Sequence, residues 1–325
     1  MYRTILVPLD GSAFSEHALP LALGIARRTG ASVLLVRVCV PLPQAYYTSE
    51  LPAVALPEAL SSDRAIGYLT ELAECLSPRW EVPISVAMLS GPVVDELYTY
   101  ATAVSVDLVV MTTHGYGPLS RVWMGSVADK LVRRLPLPIL LTRPHDEALD
   151  LLEAVHEQPF EHVLIPLDGS ALAEEILECA LALGAPMGAR YSLIQVINPP
   201  VLGYAPAAHA VELDEKILTE WRAEARSYLD PVVDRLRGQG HQVESHILIG
   251  PSAIAILNYA RDHAVDLIAM ATHGRGGVAR MLLGSVADKI VRSIGTPVLL
   301  RRPSAEVAQP RTAADSVAAD TMEEL

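Results

Sequence analysis

The chain repeats itself, and the repeat constrains the fold more than any other feature. The stretch Thr113-His114-Gly115-Tyr116-Gly117-Pro118-Leu119-Ser120-Arg121-Val122-Trp123-Met124-Gly125-Ser126 returns as Thr272-His273-Gly274-Arg275-Gly276-Gly277-Val278-Ala279-Arg280-Met281-Leu282-Leu283-Gly284-Ser285, and both copies run on into Val-Ala-Asp-Lys. His114 and His273 lie 159 residues apart, as do Gly125 and Gly284. Upstream, Pro8-Leu9-Asp10-Gly11-Ser12 is echoed by Pro166-Leu167-Asp168-Gly169-Ser170, with 158 residues between the aspartates. Two distant pairs at nearly one offset mean a duplicated domain. At 325 residues the chain has room for two domains of about 150 residues.

Each copy of the long stretch reads as strand, glycine-bearing loop and helix. Residues 266–271 form a short apolar run, and beyond the loop Val286, Ala287, Ile290, Val291 and Ile294 recur at helical spacing. Extended across the first half, the pattern predicts strands near 4–9, 32–38, 82–89, 107–112 and 139–142. It predicts helices near 15–28, 57–76, 93–103 and 126–135. The second half repeats it, with strands near 162–167, 191–197, 242–249, 267–271 and 297–301. Its helices are expected near 171–183, up to 237, over 252–263 and over 286–294. Strands alternating with helices imply right-handed crossovers and a doubly wound parallel sheet in each half.

Composition agrees. Half the chain is hydrophobic (51%) but only 5% is aromatic, so the cores must be Val, Leu, Ile and Ala, the usual filling of parallel strands covered by helices. A net charge of −13 argues against a general nucleic-acid or anionic-membrane partner. Cys39, Cys75 and Cys179 have no C-x-x-C spacing and read as small core residues rather than a disulfide framework or zinc site. The start lacks the basic and apolar regions of a signal peptide, and no apolar run approaches the roughly 18 residues of a membrane span. A cytoplasmic chain is expected.

The boundaries read as domain one over 1–146, an acidic linker over 147–160, domain two over 161–303 and a disordered acidic tail over 304–325. Proline-rich segments after the second strand of each half are lids or surface excursions.

With strand order 3-2-1-4-5, the crevice where winding reverses falls between strands one and four. It brings Asp10 opposite the 114–126 loop and Asp168 opposite the 273–285 loop. Glycines let backbone N–H groups approach a phosphate, and a helix start adds unpaired donors and partial positive charge. Gly115 and Gly125, or Gly274 and Gly284, bracket nine residues that can arch over a triphosphate, with Ser126 or Ser285 presenting a hydroxyl. Asp10 or Asp168 accepts from ribose hydroxyls or meets the phosphates through Mg²⁺, because a bare carboxylate beside a bare phosphate repels. Val38 and Val196 offer an apolar wall to a base.

Blander roles compete. Ser126 with Asp129, and Ser285 with Asp288, have capping-box spacing. Asp10 can be a turn residue, and Arg275 either reaches phosphate or stays solvated. His114 and His273 read as shaping the loop rather than acting as bases. Gly274-Arg275-Gly276-Gly277-Val278-Ala279 meets a dinucleotide fingerprint, but after the fourth strand rather than the first. No G-x-x-x-x-G-K loop, G-x-S-x-G elbow or H-E-x-x-H helix occurs, and no nucleophile is paired with a base.

These residues resemble the universal stress protein family in its tandem form, whose fold is two Rossmann-like domains. ATP-binding members carry the signature G-x-x-G-x9-G followed by Ser or Thr. It falls on Thr112, Thr113, His114, Gly115, Gly125 and Ser126, and on Ala271, Thr272, His273, Gly274, Gly284 and Ser285, with Val127 and Val286 next in line. The family's strand-one aspartate and preceding proline match Asp10 with Pro8 and Asp168 with Pro166. Its base-contacting valine matches Val38 and Val196. Both copies depart at the signature's first glycine, where Thr112 and Ala271 add a Cβ beside the expected ribose, and Pro118 stands opposite Gly277, removing an N–H and stiffening the first loop; if the sites differ, the second half is expected to bind more tightly.

The resemblance implies ATP, or ADP, AMP or cyclic AMP, with Mg²⁺ held through the phosphates and little or no hydrolysis. It also implies a stress or signalling regulator that acts through an unidentified protein partner. Family members pair through their last strands, so residues 139–142 and 297–301 are expected to meet about an internal pseudo-twofold, with or without a further homodimer. The alternatives are a nucleotide-free scaffold and an adenine-nucleotide ATPase or nucleotidyl transferase, though the S-G-G-x-D-S and H-x-G-H motifs of such enzymes are absent.

Overall fold

The computed structural model describes residues 2–40, 62–113, 124–144, 160–198, 207–273 and 283–303. The first half runs β1 (Thr4–Pro8), α1 (Ala13–Glu16), α2 (Leu19–Thr29), β2 (Ser32–Cys39), α3 (Ser62–Trp80) and β3 (Ile84–Ser90). It continues with α4 (Val93–Ala103), β4 (Leu108–Thr112), α5 (Ser126–Arg134) and β5 (Ile139–Thr142). The second half runs β6 (His162–Pro166), α6 (Ala171–Gly184), β7 (Arg190–Ile197), α7 (Ala207–Gly238) and β8 (Val243–Ile249). It ends with α8 (Ser252–Asp262), β9 (Leu267–Ala271), α9 (Ser285–Ser293) and β10 (Val298–Arg301).

Within each half the five strands are parallel and take the expected order, β3-β2-β1-β4-β5 and β8-β7-β6-β9-β10. The two sheets are not separate. β5 and β10 pair antiparallel, so the described strands form one ten-stranded sheet rather than two of five. The register is symmetric: Leu140 faces Leu299, its own counterpart in the repeat, flanked by Ile139 against Leu300 and Leu141 against Val298.

Alternation along each strand feeds two cores. Ile5 and Val7 of β1 pack on one face with Leu23 of α2 and Leu69 of α3, while Leu6 points to the other with Leu97 of α4 and Leu131 of α5. In the second half α6 and α7 cover the first face, and α8 and α9 cover the second. Each fully buried Leu or Ile contributes roughly 1.5–3 kcal/mol of transfer free energy.

Several expectations need correction. The single helix over 15–28 is two, because Pro20 has no N–H to continue the ladder; His17 and Ala18 bond back only three residues, to Phe14 and Ser15. Helix α3 runs past 76 to Trp80, since Leu69, Ala73, Leu76 and Trp80 keep one buried stripe. Cys75, on the outward side of that stripe, is exposed rather than a core residue; Cys179 is buried and Cys39 half-buried. Phe160, placed at the end of the linker, is fully buried in the core. The rest of the linker, 147–159, the tail, and the proline-rich segments 41–61 and 199–206 lie outside the described residues.

Candidate functional site

The winding of the chain makes the site. Helices α2 and α3 lead outward from β1 to β3 on one face, and α4 then returns across the other face to β4. The ends of β1 and β4 therefore lie side by side with their following segments on opposite faces, and β6 and β9 repeat the arrangement. In the second half a cleft of ≈ 290 Å³ opens there, near the lower end of the roughly 300–1,000 Å³ typical of small-molecule pockets. Pro166 and Asp168 enter from the end of β6, and Val196 from β7. Ala271, Thr272 and His273 follow β9, while Gly284, Ser285 and Val286 open α9.

Asp168 is fixed by a tight turn. Its Oδ1 accepts from the Ser170 amide at 3.0 Å and the Ser170 hydroxyl at 2.6 Å; Asp10 accepts from Ser12 at 2.9 and 2.5 Å. The turn needs glycine at its centre, where φ is +84° at Gly11 and +83° at Gly169. The same serines cap the next helix, Ser12 accepting from the Ser15 amide and Ser170 from the Ala173 amide. Asp-Gly-Ser thus works as one device, a strand stop, a held carboxylate and a helix start.

The opposite wall is closed by a backbone clasp. Gly284 N–H donates to the Thr272 carbonyl at 2.9 Å, and Gly125 N–H to the Thr113 carbonyl at 2.7 Å. A Cβ on Gly284 would lie 2.7 Å from that Thr272 oxygen, so the glycine is required by close approach rather than by its φ of −56°. The capping-box expectation fails here. Gly125 and Gly284 occupy the N-cap positions, and Ser126 and Ser285 are exposed first residues of their helices with no capping bond. Asp129 and Asp288 instead bind Arg133 and Arg292 one turn on, at 2.7–2.8 Å. The first amides of α9 are left without helical acceptors at the edge of the cleft.

His273 Nδ1 lies 3.0 Å from Thr272 Oγ1, and its Nε2 is buried with no hydrogen-bond partner among the described residues. Ala271, in place of the signature's first glycine, lines the cleft. Pro8, Asp10, Val38, Thr112, Thr113, Gly125, Ser126 and Val127 occupy the matching positions around β1, β2, β4 and α5. His114, Gly115, Gly274 and Arg275, with Pro118 and Gly277, lie outside the described residues.

Sequence reasoning missed Ile194 and Met270 as apolar lining and Ser252 and Ile256 as the contribution of α8. Ile194 was readable, two residues before Val196 on the same strand face. It also passed over a difference between the halves. The Arg37 guanidinium packs against Gly11, 2.9 Å from where a Cβ would sit, and 6.0 Å from the Tyr68 ring, whose hydroxyl donates to Glu16 at 2.5 Å. Burial, reinforced by Glu16, pushes the Tyr68 hydroxyl up. Gln195 takes the place of Arg37 in the second half, with Oε1 buried and unpartnered among the described residues.

Among the described residues no cluster of three His, Cys, Asp or Glu side chains is placed to hold a metal ion, and no helix is long and apolar enough to cross a membrane.

A doubly wound sheet used twice, with a held carboxylate after the first strand of each copy and a glycine clasp after the fourth, defines a tandem α/β protein of Rossmann-like fold. The universal stress protein family profile matches residues 1–143 and 159–302, and the chain belongs to that family. A universal stress protein of Mycolicibacterium smegmatis is 25% identical over 308 residues, covering 92% of this chain and 97% of its own. One from Methanocaldococcus jannaschii is 30% identical over 151 residues, 46% of this chain and 87% of its own. The crystal structure of a universal stress protein from Archaeoglobus fulgidus superposes with a TM-score of 0.65 at 19% identity, over 93% of this chain and 98% of that one.

Proposed function

We propose that this protein is an adenine-nucleotide-binding regulator of the stress response, with one ATP site in each half and little or no hydrolysis. The observation that carries the reading is the second cleft, where an apolar wall, a fixed carboxylate and unpaired helix-start amides converge in a space of ≈ 290 Å³. Val196 and Ile194 would face the base. Asp168 would accept from the ribose or meet the phosphates through Mg²⁺. The amides of Ser285 and Val286 would receive phosphate oxygens. Asp10, Val38, Ser126 and Val127 would do the same in the first half.

The nucleotide-free scaffold has one observation in its favour. Gly284 is already required by its approach to the Thr272 carbonyl, so the glycine has a packing reason that owes nothing to a ligand. Titration calorimetry with Mg-ATP, ADP, AMP and cyclic AMP, together with mass spectrometry of whatever the purified protein releases, decides between them. Two nucleotides per chain, with turnover well below about 1 s⁻¹, is the expected result. No binding of any of the four at millimolar concentration leaves the scaffold.

A further inference from the structure

Beneath the second cleft lies a knot of polar side chains that the first half lacks. Ser192 of β7, fully buried, has three neighbours: His162 Nε2 at 2.7 Å, Glu244 Oε1 at 3.0 Å and the Tyr259 hydroxyl at 3.2 Å. His162 is 1% exposed, and its Nδ1 lies 3.1 Å from the His263 carbonyl oxygen. In the first half the pairings that match His162, Ser192 and Glu244 hold Thr4, Leu34 and Ser85.

Counting hydrogens shows what the knot needs. A serine hydroxyl satisfies three partners only by donating to one and accepting from two. A carbonyl cannot donate, so the contact to His263 puts a hydrogen on His162 Nδ1. Tyr259 donates its own hydrogen to Ser192. A neutral His162 Nε2 and an ionised Glu244 are then two acceptors competing for one serine hydrogen. The third contact closes only when one more proton enters. It sits either on His162, with Ser192 donating to Glu244, or on Glu244, with Ser192 donating to His162; the two arrangements hold the same number of protons.

We infer that His162, Ser192 and Glu244 form a one-proton site, present only in the second half, whose filling closes the third hydrogen bond at Ser192, between the edge strand β8 and the core under the cleft. Glu244 is the route in, for its side chain is 51% exposed and can turn to water when the proton is absent. The surrounding charges come from every packed element. Arg190 of β7 opposes protonation of His162, while Asp266, ahead of β9, favours it. Asp266 accepts from the Glu161 and His162 amides. From β8, His246 Nε2 approaches Glu244 Oε1 to 3.4 Å, and His263, just past the end of α8, stacks on Tyr259 at 3.9 Å.

Burial, with Arg190 adding to it, holds His162 below the ordinary histidine range despite the carbonyl and carboxylates beside it. The unfolded chain therefore takes the proton first. Stability is full above about pH 6.5 and declines as pH falls, until the knot itself fills. Coupling to the cleft follows from the same elements. Ser192 and the cleft residue Ile194 share one face of β7, and Tyr259 lies one turn from the cleft residue Ile256 on α8. That coupling rests on the nucleotide reading above, whereas the proton site does not.

Glu244→Gln is the discriminating change, because a glutamine amide donates to Ser192 without any proton being taken up. In histidine-labelled full-length protein, residue-resolved NMR should show the His162 midpoint about one pH unit lower in the variant, from loss of the nearby opposite charge. Thermal melts should show the variant at least as stable as wild type at pH 8, with its advantage shrinking as pH falls. His246→Asn should leave the His162 titration in place. If His162 titrates identically in Glu244→Gln, or only His246 responds, the proton site is overturned. If His162 behaves as expected but nucleotide affinity in the second half does not change with pH, only the coupling fails.

Discussion

Gly284 shows how one missing atom sets the site. Its amide and the Thr272 carbonyl clasp the two ends of the glycine loop at 2.9 Å, leaving no room for a side chain. In Gly284→Ala the backbone oxygen cannot swing aside as a flexible side chain would, so the clasp itself must open. The expected cost is about 1–3 kcal/mol, the scale of overpacking. Calorimetry should then find one nucleotide per chain instead of two, with the first half unaffected. An alanine variant that melts like wild type and still binds two would show that the close approach has no role in holding the loop.

At the scale of elements, the serines separate two kinds of helix start. Ser170 accepts from the Ala173 amide and is a working cap, whereas Ser285 lies one residue inside α9 with an exposed hydroxyl. Ser170→Ala should lower stability by about 1 kcal/mol, and Ser285→Ala by less than about 0.5 kcal/mol while weakening nucleotide binding. Denaturant melts and calorimetry on the pair give both numbers, and equal losses of stability would contradict this assignment of roles. Spacing alone cannot locate a helix start to within one residue: Ser285 and Asp288 fit a capping box, one of two roles the sequence allows, until the Gly284 carbonyl is seen to accept the first helical bond, from Asp288. Strand order and the pairing of Asp168 with the glycine loop were legible, because a repeated pattern of buried runs allows few windings. The contribution of α8 was not, since Ser252 and Ile256 enter the cleft only through the tertiary path of a helix whose own residues look ordinary. The His162 knot was equally hidden, its members being 30 and 52 residues apart.

For the whole molecule, the seam between β5 and β10 makes one body of two repeats. Leu140 and Leu299 meet there with no solvent exposure, and the seam is reinforced by Tyr2 donating to the Cys179 carbonyl at 3.0 Å and Arg302 donating to the Arg133 carbonyl at 2.6 Å. Joining the last strands buries two sheet edges that would otherwise offer unpaired amides and carbonyls to other chains. Each half nevertheless keeps residues on both of its own faces, so neither depends on the other for all of its core. It is the seam that couples them, and wild-type protein should melt in one calorimetric transition. Leu299→Asp places a carboxylate where no partner waits, at a cost of several kcal/mol, and strikes the contact between halves directly. The expected thermogram has two transitions, the first half melting near its former temperature and the second well below it. Ile254→Asp, at a position 57% exposed on α8, is the matched control and should leave the single transition in place. A single, barely shifted transition in Leu299→Asp would mean that the halves are coupled elsewhere, through the α5 and α9 surfaces, where Arg133 lies within the field of Asp288.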